Sequence, residues 1–238
     1  MAQGMNTLIH VATFGIYAFT NFYTFNILYI PILPRAVRKN AYGGKFKFLT
    51  FWDAIIQALF FLICIMNDFF GTNAVNPKKR PLMRKMKDYL HASIAFPIAM
   101  FVGITFWSLM FVDRELVLPK ALDPYFPWWL NHLMHTMIVV STLIEMILAP
   151  RQYPKRSHAL SSLIVFQLIY LVWMHIIHYK SGIWVYPIMN VLSLPQRIVF
   201  FAILMVFSVI LYFMGEALNN FVWGNKQFKQ QKLYSKTK

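Results

Sequence analysis

The sequence is built from apolar runs of about 20 residues, the length that spans the roughly 30 Å hydrocarbon core of a bilayer as a helix. A helix satisfies its own backbone hydrogen bonds, which lipid cannot do. The runs lie at residues 7–28, 48–66, 90–112, 128–148, 158–179 and 198–221. We therefore predict an all-α fold: a polytopic integral membrane helical bundle of about six transmembrane helices, forming a single domain over residues 1–238.

The charge of the chain fits a membrane better than a nucleic acid. The formal net charge is +15, yet only 13% of the residues are charged. The lysines and arginines lie between the apolar runs and near the C-terminus, where they can meet lipid headgroups. Because the loops are short and rich in proline, we predict no nucleic-acid partner. More Lys and Arg residues lie on the side of the two termini, so both termini are expected to be cytosolic.

Three further features bear on the compartment. The single cysteine, Cys64, lies within an apolar run, which excludes an intrachain disulfide and a cysteine metal cluster. The first basic residue is Arg35 and no small-residue cleavage pattern follows the first run, so we expect a retained span and not a signal peptide. Lys236 and Lys238 loosely resemble a retrieval signal. We predict an integral membrane protein of the endoplasmic reticulum, the plasma membrane or both.

Polar side chains recur at helical spacing within two of the runs. In the second run, Thr50, Asp53 and Gln57 fall at i, i+3 and i+7 on one helix face. The fourth run carries a similar set, namely His132, His135, Thr142 and Glu145. Because polar residues inside a membrane are costly and usually face the bundle interior, these two faces are candidate functional sites.

Thr50 and His135 together form the minimal arrangement for acyl transfer, a hydroxyl beside an imidazole. The second and fourth runs cross the membrane in the same direction, so the two residues can lie below the same interface. The threonine oxygen would attack a carbonyl carbon, the histidine would take its proton, and Asp53 could orient the imidazole. A structural interpretation stays open, in which the threonine bonds back to its own helix and the histidine is a packing residue.

Two other functions also stay open on the residues alone. A metal or haem could be held by histidines three residues apart, His132 with His135 and His175 with His178. A proton or ion path could use the intramembrane acids Asp53, Glu145 and Glu216. The absence of internal repeats argues against a transporter, and Glu145 and Glu216 are more simply interpreted as structural polar contacts.

A set of short motifs runs in order from about Gly43 to Trp223. It comprises Lys45-Phe-Lys-Phe-Leu-Thr50, Asp113-Arg-Glu-Leu, Pro119-Lys, Trp129-Leu-Asn-His-Leu-Met-His-Thr136, Trp184-Val-Tyr-Pro187 and Gly215-Glu-Ala-Leu-Asn-Asn220. As an ordered set, the motifs resemble the androgen-induced gene / androgen-dependent TFPI-regulating protein family of transmembrane threonine hydrolases. The resemblance covers most of the chain.

The resemblance implies a hydrolase that cleaves fatty acid esters of hydroxy fatty acids (FAHFAs) to a fatty acid and a hydroxy fatty acid, with no cofactor. The family's nucleophile is a threonine after a basic-aromatic stretch, which corresponds to Thr50. Its histidine is the second in the motif Asn-His-x-x-His-Thr, which corresponds to His135. The alternative is a non-enzymatic multi-spanning signalling or scaffold protein, since such roles are also attached to members of this family.

Residues close to the predicted pair in sequence are candidates for supporting roles. We expect Asp53, Asn131 and His132 to orient the imidazole or to donate hydrogen bonds to an oxyanion. Lys45 and Lys47 are the basic residues nearest to Thr50 on its N-terminal side. They are candidates to hold the free carboxylate of the lipid substrate.

Overall fold

The computed structural model describes residues 2–28 and 42–236, and within these ranges the protein is helical with no strand. Three of its helices contain a π turn, at Tyr23–Ile27, His91–Ala95 and Leu133–Met137. A short helix, Ile188–Val191, precedes the last long one. The long helices are α1 (Ala2–Phe22), α2 (Leu49–Phe70), α3 (Leu82–Leu116), α4 (Trp128–Leu148), α5 (Arg156–Ser181) and α6 (Leu194–Lys236).

Five of these helices, α2 to α6, are long and apolar enough to cross a membrane. The predicted polytopic helical membrane protein is therefore confirmed. α1 is helical as expected but does not belong to these five. The count of six spans and the cytosolic position of the termini stay predictions. Arg35 and Lys238, used in the sequence argument, lie outside the described residues.

The helices extend beyond the predicted runs, and this changes the position of several charges. α3 begins at Leu82, so Arg84 and Lys87 lie in its first turns and not in a loop. Both side chains are fully buried, as is that of Arg151. The expectation that the basic residues between the runs meet lipid headgroups is wrong for these three, because each has polar partners inside the protein.

The long helices run up and down, so the start of α2 lies at the same end of the bundle as the start of α4 and the end of α3. Gly103 of α3 allows this helix to approach α4 closely. A Cβ atom at Gly103 would lie 2.4 Å from Cγ2 of Val139 and 2.8 Å from the carbonyl oxygen of His135. The two candidate catalytic residues are thereby brought to one end of the core.

Candidate active site

Thr50 lies in the first turn of α2, directly after a compact turn. Gly43 has a φ of +83°, a conformation that favours glycine, and a 3₁₀ turn follows at Gly44–Lys47. Phe48 is extended, and α2 begins at Leu49. The first turn of a helix has backbone N–H groups without an intrahelical acceptor. Thr50 is therefore close to N–H groups that can stabilise negative charge.

Two tryptophans hold the turn in front of Thr50 from its outer side. The carbonyl oxygen of Phe46 accepts hydrogen bonds from the indole Nε1 of Trp52 at 2.7 Å and of Trp173 at 2.9 Å. Trp52 lies on α2 and Trp173 on α5. The turn is thereby attached to two helices.

Two tyrosines hold the same turn from its inner side. The hydroxyl of Tyr170 donates to the carbonyl oxygen of Lys47 at 3.0 Å and accepts from the backbone N–H of Leu49 at 3.0 Å. Because the single hydroxyl proton of Tyr170 is used in the bond to Lys47, the hydroxyl of Tyr186 must be the donor in its 3.0 Å contact with the hydroxyl of Tyr170. Tyr186 also lies 3.2 Å from the nitrogen of Leu49. We call Tyr170 and Tyr186 the tyrosine pair. It fixes the residue directly before Thr50.

His135 faces Thr50 from the π turn of α4. Its Nε2 lies 3.2 Å from Oγ1 of Thr50, and its Nδ1 lies 3.0 Å from the carbonyl oxygen of Asn131. A carbonyl oxygen only accepts, so Nδ1 carries the proton and Nε2 is free to accept from the threonine hydroxyl. The ring stacks on Phe106 of α3, with centroids 3.6 Å apart and planes 11° apart. The imidazole therefore has the tautomer and the orientation of a general base.

The three supporting candidates occupy different positions. Asp53 is fully buried and accepts from Nε2 of Gln57 at 2.8 Å, while the Asn131 carbonyl makes the contact to Nδ1 of His135. The proposed orienting role of Asp53 is thus taken by a backbone group. His132 bonds to Oγ1 of Thr136 at 3.0 Å. The buried side-chain amide of Asn131 has no hydrogen-bond partner among the described residues.

The two lysines near Thr50 differ in their contacts. Nζ of Lys45 donates to the carbonyl oxygen of Thr24 at the end of α1. Nζ of Lys47 lies over the ring of Phe48, 5.0 Å from its centroid. Burial lowers the pKa of both ammonium groups. The ammonium group of Lys47 contacts an aromatic face, whereas that of Lys45 donates a hydrogen bond to a carbonyl oxygen. Lys47 is therefore the better candidate of the two to contact an anionic ligand.

The second histidine pair, His175 and His178, packs against an aromatic ring. His178 stacks on Trp184 with ring centroids 3.8 Å apart, and His175 meets the same ring edge-on at 5.4 Å. Nδ1 of His175 contacts the carbonyl oxygen of Leu171 at 2.8 Å.

Thr50 adjoins a large apolar cavity between the start of α2 and helices α3, α5 and α6. Its empty volume is about 920 Å³, including the part open to its surroundings. Its lining includes Phe106, Tyr170, Met174, Phe201, Leu204 and Met205. A lipid chain is the ligand that such a lining suits.

The opposite end of the bundle contains a second group of polar residues, which we call the buried ionic cluster: His10, Asp68, Lys87, Glu145 and Arg151. Nδ1 of His10 lies 2.6 Å from Asp68, and its Nε2 lies 2.6 Å from Oε2 of Glu145. Oε1 of Glu145 lies 2.7 Å from Arg151 and 3.4 Å from Lys87. The cluster joins α1, α2, α3 and α4 through buried charges.

A potential metal site overlaps this cluster. Ligand atoms of His10, Cys64 and Glu145 all lie within 4.8 Å of one another. However, both oxygens of Glu145 already contact cationic or imidazole groups. A metal ion here would compete with Arg151 and Lys87, so the cluster is better suited to structure. Glu216, the other glutamate considered above, pairs with Arg156 at 3.1 Å.

Comparison with known proteins gives a consistent result. The family model described as FAR-17a/AIG1-like protein matches residues 5–220. The human Androgen-induced gene 1 protein is 38% identical over 198 residues, covering 81% of this chain and 83% of the relative. The human Androgen-dependent TFPI-regulating protein is 30% identical over 232 residues, covering 98% and 99%. Its rat counterpart is 35% identical over 227 residues, covering 94% and 96%. No solved structure matches the chain.

Proposed function

We propose a function for this chain from the premise that it belongs to the FAR-17a/AIG1-like protein family. We propose that the protein is a membrane-embedded threonine hydrolase that cleaves the ester bond of FAHFAs to give a fatty acid and a hydroxy fatty acid. One observation carries the chemistry: Oγ1 of Thr50 lies 3.2 Å from Nε2 of His135, beside an apolar cavity. The substrate class follows from the resemblance of the motifs around these residues.

The reaction begins when Oγ1 of Thr50 attacks the carbonyl carbon of the ester. Nε2 of His135 takes the hydroxyl proton, which it can accept because Nδ1 holds the other ring proton. The bond to the hydroxy fatty acid then breaks, and His135 returns the proton to the departing oxygen. Water attacks the acyl-threonine with His135 again as base, which releases the fatty acid and restores Thr50.

The negative charge on the carbonyl oxygen needs hydrogen-bond donors during both steps. At the start of α2, the N–H groups of Leu49 and Phe51 already donate, to Tyr170 and to the carbonyl oxygen of Phe48, so the N–H of Thr50 itself is the candidate donor there. The Asn131 amide supplies a second candidate donor, since it is buried without a partner among the described residues and lies one turn before His135. Asp53 and His132 have other partners and are proposed to support the shape of the site.

The free carboxylate of the substrate is proposed to contact Lys47. If so, Lys47→Gln raises the Michaelis constant for FAHFAs and leaves turnover nearly constant, because the interaction is present in ground state and transition state alike. Lys45→Gln is the matched control, since its ammonium is committed to the carbonyl of Thr24. An unchanged Michaelis constant in Lys47→Gln would remove this residue from the binding site. The membrane is proposed to be the endoplasmic reticulum, the plasma membrane or both.

The test of the proposal is labelling of membranes with a fluorophosphonate probe, together with hydrolysis of a synthetic FAHFA. We expect the wild type to be labelled and active, and both Thr50→Ala and His135→Ala to lose labelling and turnover. Thr142→Ala is the matched control, since this hydroxyl of α4 bonds back to the carbonyl oxygens of Ile138 and Val139 on its own helix. Equal labelling of all variants, or no turnover by folded wild type, would favour the non-enzymatic scaffold.

A further inference from the structure

Two separate spaces adjoin the Thr50–His135 pair, and each is lined by a different member of it. Thr50 lines the apolar cavity described above. His135 lines an open groove between α3 and α4, of about 990 Å³ including its open part. The groove is also formed by Gly103, Ile104, Trp107, Ser108, Thr136 and Val140. We call these spaces the apolar cavity and the α3–α4 groove.

Helix α3 divides the two spaces. Val102, Thr105 and Phe106 face the apolar cavity, whereas Ile104 and Trp107 face the groove. The Phe106 ring lies flat on the imidazole of His135, so it forms the wall of the cavity at the catalytic pair. The reacting ester must therefore lie where the two spaces approach each other.

The chemistry of the proposed reaction assigns one half of the substrate to each residue. In the intermediate, the acyl half is bonded to Oγ1 of Thr50, so its chain must occupy space next to Thr50. The oxygen of the hydroxy fatty acid receives a proton from Nε2 of His135, so this half must leave from beside the histidine.

The charges of the two halves support the same assignment. The acyl half ends in a methyl group and has no ionised group, since its carboxyl carbon is the ester carbonyl. The hydroxy fatty acid half keeps a free carboxylate, which is costly to place in an apolar enclosure and which is proposed above to contact Lys47, a residue that lines neither space. The cavity is the more enclosed and apolar of the two spaces. The groove is the more open of the two spaces, and its lining includes the hydroxyl-bearing Ser108 and Thr136.

We infer that the enzyme sorts the two halves of its substrate: the acyl chain lies in the apolar cavity, and the hydroxy fatty acid lies in and departs through the α3–α4 groove. This inference rests on the proposed function. It makes the cavity residues the determinants of acyl-chain length. The groove residues determine which hydroxy fatty acid is accepted.

The experiment uses the full-length protein in membranes and two series of synthetic esters. One series varies the acyl chain from short to long on a constant hydroxy fatty acid. The other varies the length of the hydroxy fatty acid under a constant acyl chain. Met205→Trp narrows the cavity and Ile104→Trp fills the groove at a side chain that is 40% exposed. Ile203→Trp is the matched control, since Ile203 is 59% exposed and lines neither space.

We expect Met205→Trp to lower kcat/KM for long acyl chains by about tenfold relative to short ones, the scale of discrimination by chain length in apolar pockets. Its preference among hydroxy fatty acids should stay that of the wild type. Ile104→Trp should change the preference among hydroxy fatty acids and leave the preference for acyl-chain length as in the wild type. Ile203→Trp should change neither preference.

The contrary outcomes are distinct from failure of the proposed function. The sorting is overturned if both variants change the same series, if their effects are exchanged, or if Ile104→Trp changes neither series. In those cases wild-type turnover still depends on Thr50. If the folded wild type hydrolyses no ester in either series, the proposed function fails and the sorting fails with it.

Discussion

The buried ionic cluster and the surroundings of the Thr50–His135 pair differ in how their carboxylate groups are paired. In the buried ionic cluster, both oxygens of Glu145 and both nitrogens of His10 have charged or polar partners. Near Thr50 and His135, one oxygen of Asp53 and the whole amide of Asn131 have no partner among the described residues. Thr50 and Asp68 lie on the same helix, roughly 27 Å apart at 1.5 Å per residue.

This difference is the one expected if the cluster is structural and the other end holds the proposed active site. An intramembrane polar group is costly unless another group satisfies it. Where the partners are supplied by the protein itself, the groups contribute to stability. Where a buried polar group has no protein partner, as the amide of Asn131 has none among the described residues, a ligand or water can supply it. The following predictions test whether the two ends are independent in this way.

The largest effect on stability is expected for Glu145→Ala. The change leaves Arg151, Lys87 and His10 without their shared buried carboxylate, and breaking a buried ion pair costs about 3–5 kcal/mol. Glu216→Ala, which removes a partly exposed pair with Arg156, should cost about 1 kcal/mol or less. The measurement is the midpoint of thermal unfolding in detergent micelles. Similar midpoints for the two variants would contradict the structural role of the cluster.

His135→Ala should produce the opposite profile. Loss of the general base lowers kcat by about 100-fold or more. The unfolding midpoint should fall less than in Glu145→Ala, because the change removes a ring contact with Phe106 and one hydrogen bond to Asn131 but leaves no buried charge unpaired. His175→Ala is the control, since this imidazole packs on Trp184 away from the pair. Parallel measurement of turnover and thermal unfolding would show whether the effects separate. If His135→Ala unfolds at a much lower temperature than the wild type and retains activity, His135 has a structural role and not a catalytic one.

Gly103→Ala is expected to affect both properties. The new methyl would meet Val139 and the carbonyl of His135, so α4 must shift or α3 must strain, at a cost of about 1–3 kcal/mol. Because the shift moves His135 away from Thr50, kcat should fall as well. In Gly15→Ala no atom lies within 4 Å of the new methyl, so this control should be neutral or slightly stabilising. Unchanged kinetics in Gly103→Ala would argue against close helix approach as the cause of the geometry.

Tyr170→Phe should give the smallest effect and the most specific one. It removes the hydroxyl that bonds Lys47 and Leu49 but keeps the ring, which costs about 1 kcal/mol of stability. Since the nucleophile follows directly, we expect kcat to fall several-fold with little change in the Michaelis constant. Tyr89→Phe deletes a comparable hydroxyl at the other end of the bundle, where it bonds Ser162 at 2.6 Å. Equal kcat in both variants would make the tyrosine pair a structural feature only.

The helical fold and the Thr50–His135 pair were accessible from sequence. Apolar run length predicts helices in lipid, and helical spacing places the polar residues on inner faces. The motif resemblance identified the same threonine and histidine. Their meeting at 3.2 Å agrees with the expectation that the two lie below one interface. The function of the pair stays a prediction.

Other features of the site could not be predicted from the sequence. The π turn at Leu133–Met137 changes the helical phase beside His135, and no residue pattern announces it. In the sequence, Tyr170 cannot be distinguished from any other aromatic residue in an apolar run. Its role depends on a hydrogen bond to the turn before Thr50, which is far away in the sequence. Arg84 and Lys87 appear as loop charges because sequence spacing cannot show their buried partners.

The ionic cluster also has a consequence for biosynthesis. His10 and Glu145 are 135 positions apart in the sequence, and the chain emerges from its N-terminal end. His10 and Lys87 therefore arrive at the translocation machinery before the carboxylate that they share, Glu145, has been synthesised. Until α4 is made, water, lipid headgroups or the insertion apparatus must supply polar partners for those groups, because placing them unpaired in the hydrocarbon core is costly. A nascent chain that stops before Glu145 is expected to remain incompletely integrated and to be recognised by quality control.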